Sequence, residues 1–146
     1  MPRVMVRPAI IEDIYWMMED SEEFCNERGE DFPGWEHAMI IGSASIAQGL
    51  AIVSMIPIYG ETGFITGIKM QDINCPSITM ARCNVLYIKK EYRKNTDSYK
   101  ALVSEFVTQS RSLGYIPEFL LDAKVNVCDN TIIDLGLKKK YTIFSG

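Results

Sequence analysis

Two hydrophobic rhythms alternate along this chain. Val4 to Arg7 alternates apolar and polar with period two and predicts a short strand. Past Pro8-Ala9, the residues Ile11, Ile14, Tyr15 and Met18 recur at spacings of three and four and predict a helix. A polar, acidic stretch runs from Glu19 to Asp31, with a second short helix expected around Phe24 and Cys25, bounded by Gly29 and Pro33-Gly34. Trp35 to Gln48 contains the small-residue patch Gly42-Ser-Ala-Ser45, which suits a helix packed very close to a neighbour or, alternatively, a strand and turn; the helix is preferred. Leu50 to Ile56 is a buried strand by composition, Pro57-Ile-Tyr-Gly60 turns, and Gly63 to Lys69 returns as the next strand. Asp72 to Pro76 is a loop and Ile78 to Ile88 a long strand. Tyr99, Leu102, Val103, Phe106, Val107, Ser110 and Leu113 form a helical stripe, with Gly114 as its C-terminal cap. Phe119 to Leu121 begins a fifth strand, a short helix lies around Asp129 to Leu135 before Gly136, and Lys139 to Phe144 is the last strand.

The order β-α-α-β-β-β-α-β-α-β specifies an α/β class with a mixed sheet. Consecutive strands form an antiparallel meander, and the helical crossover after the fourth strand makes a parallel pair. About six strands and about four flanking helices are expected, in a single domain over 1–146. The 146 residues suffice for one domain with a sizeable core, and 47% hydrophobic content is that of a globular chain. No apolar run approaches the ~20 residues that span a bilayer. The start Met-Pro-Arg-Val-Met-Val-Arg lacks the apolar core of a signal peptide, so a cytoplasmic location is the expectation. Cys25, Cys75, Cys83 and Cys128 are scattered, with no C-x-x-C and His37 as the sole imidazole, which argues against a metal site and a disulfide framework. A net charge of −4 argues against general nucleic-acid binding.

Charge is nevertheless uneven. Acidic residues concentrate between Glu12 and Asp31, while Lys89, Lys90, Arg93 and Lys94 form a basic turn between the long strand and the helix that follows. A strand that runs into a basic turn and a helix start suits a small anionic ligand, because helix N-termini present backbone N–H groups and positive dipole charge.

Three local motifs, in the right order, resemble the GNAT-type acyl-CoA N-acyltransferases. Val6-Arg-Pro-Ala-Ile-Ile-Glu-Asp13 is similar to the family's first strand and first helix start. Val85-Leu-Tyr-Ile-Lys-Lys-Glu-Tyr-Arg93 is similar to its fourth strand and basic turn, and Leu135-Gly-Leu-Lys138 to its Leu-Gly-Phe-Lys step before the last strand. The resemblance implies a GNAT-like mixed central sheet. It also implies acetyl-CoA, inserted where the fourth strand splays from the fifth. Backbone groups of Leu86, Tyr87 and Ile88 would hold its acyl and pantetheine parts, and Arg93, Lys94, Asn95, Thr96, Asp97 and Ser98 its pyrophosphate. Thr96 and Ser98 stand where the family's Arg-x-x-Gly-x-Gly/Ala turn has its small residues, and Asp97 adds a negative charge there. Ile132 occupies the place of the family's tyrosine general acid, leaving Tyr141 and Tyr87 as the catalytic candidates. The fourth strand offers Cys83 and Asn84 but no carboxylate base. His37 is weighed as a base and read as an ordinary surface or packed residue.

The acidic run Glu19, Asp20, Glu22 and Glu23 is read as a solvated face, with recruitment of a cationic amine as the functional alternative. Its charges raise the Cys25 pKa and argue against a nucleophile there. Trp16 and Trp35 are read as packing residues. Two functions stay open: an acetyl-CoA-dependent N-acetyltransferase acting on a small amine or a protein amine, and a catalytically inactive GNAT-fold structural or interaction protein. The second would have a protein partner or form a homo-oligomer, for example as a component of a viral particle. Neither implies nucleic acid or a membrane.

Overall fold

In the computed structural model, which describes residues 3–94, 96–119 and 135–137, the chain opens with β1 (Met5–Pro8) and a single 3-10 turn at Ile11–Asp13. α1 (Ile14–Glu27) and α2 (Trp35–Ala47) follow, then β2 (Ala51–Ile56), β3 (Gly60–Gln71) and β4 (Thr79–Ile88). A 3-10 turn at Lys90–Tyr92 leads to α3 (Asp97–Ser112) and β5 (Ile116–Phe119). The sheet order is β1-β2-β3-β4-β5, antiparallel except for the parallel β4–β5 pair. The expected meander and crossover are both present. The short helix around Asp129 and the last strand fall outside the described residues.

Strand alternation divides the core into two faces. Ala51, Val53, Phe64 and Tyr87 pack with Ile14, Met17 and Met18 of α1, whereas Leu50, Ile52, Ile65 and Ala81 pack with Leu102 and Phe106 of α3. Met17, Val53, Phe64, Ile65, Leu102 and Phe106 are fully buried. Each such side chain stabilises the fold by roughly 1.5–3 kcal/mol.

The first motif has a structural cause. Both guanidinium Nη atoms of Arg7 donate to Asp13 at 2.8 Å, and the Ile10 N–H (2.9 Å) and Trp16 Nε1 (3.0 Å) donate to the same carboxylate. These donors hold the Asp13 carboxyl down at about 2, against the opposing effect of its burial. This knot fixes where β1 ends and α1 begins.

α1 is longer than its pattern predicts. No separate helix forms at Phe24 and Cys25; both sit in the last turns of α1, half-buried one helical repeat beyond the buried Ser21. The small-residue patch lies in α2, as preferred. A Cβ at Gly42 would stand 2.8 Å from Ile14 Cδ1 and 2.9 Å from Met18 Cε, so α2 lies close against α1 here, with the flexible ends of two side chains over the glycine. Gly114 ends α3 at φ +80 in a Schellman cap: its N–H donates to Arg111 O and the Tyr115 N–H to Ser110 O. β5 begins at Ile116, earlier than Phe119. Pro117 inside it argues against a strand, but a proline is tolerated where its missing N–H is not needed by the ladder.

Candidate functional site

Two bulges shape the strands beneath the basic turn. The β2–β3 register shifts between Ser54 and Met55, leaving Thr62 unpaired. The Thr62 hydroxyl shares buried hydrogen bonds with Ser54 Oγ (2.8 Å) and Ser98 Oγ (3.0 Å). The β3–β4 register shifts between Thr66 and Gly67, leaving Asn84 as the extra residue on β4. Thr66 Oγ1 donates to Asn84 Oδ1 at 2.7 Å. β4 pairs β5 from Met80↔Ile116 to Cys83↔Phe119. Beyond that last described pair, β4 continues through Val85, Leu86 and Tyr87 to Ile88, hydrogen-bonded to β3 among the described residues.

The turn at the end of β4 is tied to the acidic face of α1. Lys89 Nζ donates to Asp20 Oδ2 at 2.8 Å and lies 5.2 Å from the centre of the Trp16 ring. Arg93 Nη2 contacts both oxygens of Glu27 at 3.0 and 2.9 Å, its Nε donates to Ile88 O at 2.6 Å, and its guanidinium covers the Tyr87 ring at 5.1 Å. Lys90 lies 3.8 Å from both Glu23 and Glu27. A cleft of about 360 Å³ is lined by Asp20, Glu23, Tyr87, Lys89, Lys90 and Glu91. Desolvation raises the Asp20 carboxyl above its ordinary value despite Lys89. The acidic run is thus not only a solvated face: two of its carboxylates, Asp20 and Glu23, answer the turn, and Glu27 one turn further along α1 does so too.

The predicted site residues are distributed as follows. Leu86 and Ile88 pack toward α3, and Tyr87 faces α1. Tyr87 is 5% exposed, and burial, reinforced by Glu27, pushes its phenol up to about 12. Lys94 is exposed and forms no ion pair among the described residues. Thr96 is the N-cap residue of α3, without a capping bond from its side chain, and Asp97 is exposed in the first turn. Ser98 points inward, to Thr62. Asn95, Ile132 and Tyr141 lie outside the described residues. His37 is exposed on α2. Burial raises the Cys83 thiol to about 12; it also raises Cys25, ahead of the charge of Glu30. Trp35 Nε1 donates to Glu22 at 3.2 Å. Among the described residues no group of three or more His, Cys, Asp or Glu is placed to hold a metal ion, and no helix is long and apolar enough to cross a membrane.

Three carboxylates near β4 escape the sequence motifs. Asp20 and Glu27 reach it from α1, and Glu118 reaches it from β5, where it accepts from Arg82 Nε at 2.6 Å. Their acidity is visible in sequence, but no local spacing links residues 66 or 69 positions apart. The third motif is also held tertiarily: Arg111 Nη2 donates to Leu135 O at 3.1 Å.

No family model matches the sequence, and no curated protein is significantly similar to it. Solved structures do match. A predicted acetyltransferase with acetyl-CoA from Clostridium acetobutylicum superposes with a TM-score of 0.72 at 9% identity, over 97% of this chain and 94% of that one. A GCN5-related N-acetyltransferase from Ralstonia eutropha JMP134 gives 0.70 at 12% identity, over 98% and 97%. An aminoglycoside acetyltransferase from an uncultured soil metagenomic sample, in complex with sisomicin, gives 0.68 at 10% identity, over 98% and 95%. At these identities the likeness is one of architecture, and it agrees with the strand order, the parallel β4–β5 pair and the two-faced core: this chain has the GNAT acetyltransferase fold.

Proposed function

We propose that this chain is an acyl-CoA-dependent N-acyltransferase that moves an acetyl group from acetyl-CoA to a primary amine. One observation carries the reading: β4 runs through Leu86–Ile88 directly into a basic turn and the start of α3. An extended donor laid beside Leu86–Ile88 would meet backbone groups, and its phosphates would meet Lys94 and the first N–H groups of α3, which have no partner within the helix. The neutral amine nitrogen, its ammonium proton lost to solvent, attacks the thioester carbon and forms the C–N bond, the carbon–sulfur bond breaks, the thiolate leaves with the electron pair, and the nitrogen releases its second proton to solvent. Backbone N–H groups near Leu86–Ile88 would stabilise the developing oxyanion. Tyr87, with its phenol near 12, is poorly matched to protonate a thiolate whose conjugate acid lies near 8.5. The proton donor is therefore Tyr141 or solvent. The acceptor enters from the α1 side, where Asp20, Glu23 and Glu91 line a cleft beside Lys89 and Lys90, so a cationic amine would exchange with the loosely held Lys90 at Glu23; the aminoglycoside bound by one structural neighbour is of that chemical class.

The test is release of free thiol from acetyl-CoA in the presence of primary amines, an aminoglycoside among them, beside calorimetry with acetyl-CoA. Release above the protein-free rate is expected; neither release nor binding would overturn the reading. A second reading, a non-catalytic structural or interaction module, is favoured by the pairing of Lys89, Lys90 and Arg93 with carboxylates of the chain itself.

A further inference from the structure

The ion pairs around the basic turn are not equivalent. Asp20–Lys89 is the most enclosed, with the ammonium stacked on Trp16, and it belongs to the packing between α1 and β4. Lys90 is well exposed and sits 3.8 Å from its carboxylates, a geometry that contributes little. Arg93–Glu27 differs from both. One nitrogen, Nη2, contacts both Glu27 oxygens, the pair is partly open to solvent, and a guanidinium takes phosphate as well as carboxylate as its partner. The bond from Nε to Ile88 O anchors the guanidinium at the end of β4, so it can exchange its partner without leaving the turn. Three cations of the turn, Lys89, Lys90 and Arg93, face three carboxylates, Asp20, Glu23 and Glu27, so this part of the turn carries little net charge toward an anion.

We propose that Glu27 is a built-in competitor for the anion site: it occupies Nη2 of Arg93, and a phosphate-bearing ligand must displace it to bind. Glu27 thereby sets the affinity of the turn for its ligand. This rests on the reading of the turn as the phosphate end of an acyl-CoA site. The carboxylate lies on α1, which also carries Asp20 and Glu23 toward the cleft. Exchange at Arg93 therefore couples donor binding to the face from which the amine would approach.

The experiment is calorimetry on the full chain at low ionic strength, with CoA and with inorganic pyrophosphate as separate probes. The proteins are the unmodified chain, Glu27→Gln, Glu27→Asp and the double variant Glu27→Gln/Arg93→Ala. Glu27→Gln should bind both probes about fivefold tighter or better, the factor that corresponds to one partly exposed ion pair, with a steeper loss of affinity on adding salt. Glu27→Asp keeps the charge and should bind within about twofold of the unmodified chain on the same scale. The double variant should lose the gain. Equal or weaker binding by Glu27→Gln overturns the proposal, as does a gain that survives removal of Arg93. Tighter pyrophosphate binding without CoA binding by any of the proteins supports the competitor and overturns the acyl-CoA reading. Absence of binding of either probe to any of the proteins overturns both. Superimposable melting curves identify a change in affinity as local.

Discussion

Replacing Asp13 by Asn tests the knot that orients α1, and with α1 the carboxylates that meet the basic turn. Asp13 accepts four hydrogen bonds, two from Arg7 and one each from the Ile10 N–H and Trp16 Nε1, and is 5% exposed. Asparagine keeps the shape but turns one oxygen into an NH₂ that faces donors, and it leaves the half-buried Arg7 charge with only Glu61, 3.6 Å away and exposed, as a carboxylate partner. Breaking a buried charge pair from one side costs about 3–5 kcal/mol. Asparagine retains one acceptor, so about 3 kcal/mol is expected, or a fall in Tm of roughly 9 °C for a chain of this size. The pH dependence is a separate check. The folded-state pKa of Asp13 lies below its ordinary 3.8, at about 2, so its contribution is present above pH ~4 and is lost as pH falls through the folded value. That interval corresponds to roughly 2 kcal/mol. Urea unfolding of both chains between about pH 5 and pH 2 should therefore show the gap between them narrowing by roughly that amount. A gap that does not change with pH, or a variant within about 0.5 kcal/mol of the unmodified chain at neutral pH, would refute the reasoning.

Two further outcomes follow from the packing. Gly42→Val should destabilise by about 1–3 kcal/mol by driving α2 off Ile14 and Met18, whereas Gly42→Ala should stay within about 1 kcal/mol, because the flexible ends of those side chains can yield and alanine favours the helix; denaturant melts decide it. Tyr87 should show no phenolate absorbance at pH 10 and should ionise near 12. Because its folded pKa is raised, its share of stability is complete below pH ~10 and disappears as pH rises through that interval; a Tyr87→Phe chain should lack that alkaline loss, and phenolate formation at pH 10 in the folded protein would contradict the burial argument.

The sequence by itself determined whatever is encoded in the spacing of neighbours. The near-continuous apolar run at Leu50–Ile56 marks a buried strand by composition, and the stripe from Tyr99 to Leu113 specifies one helix's buried face, since a helix repeats its faces at a fixed interval. The small patch at Gly42 suited a close helix contact or a strand and turn, with the helix preferred, and Gly114 marked a helix end. Arg7 and Asp13 fell in one short motif because the turn that joins them is local. Tertiary structure decided the rest. α1 extends through Glu27 because Phe24 and Cys25 continue the buried side of a helix whose other positions are too acidic to signal it. β5 tolerates Pro117 because its described pairing to β4 does not need that N–H. Ser98, a plausible phosphate ligand by position in the motif, turns inward because the bulge at Thr62 puts a buried hydroxyl beneath it. The pairing of Lys89 with Asp20 and of Arg93 with Glu27 was not legible at all. A surface charge constrains its own helix or turn weakly, and its partner is chosen only when two elements distant in sequence are packed side by side.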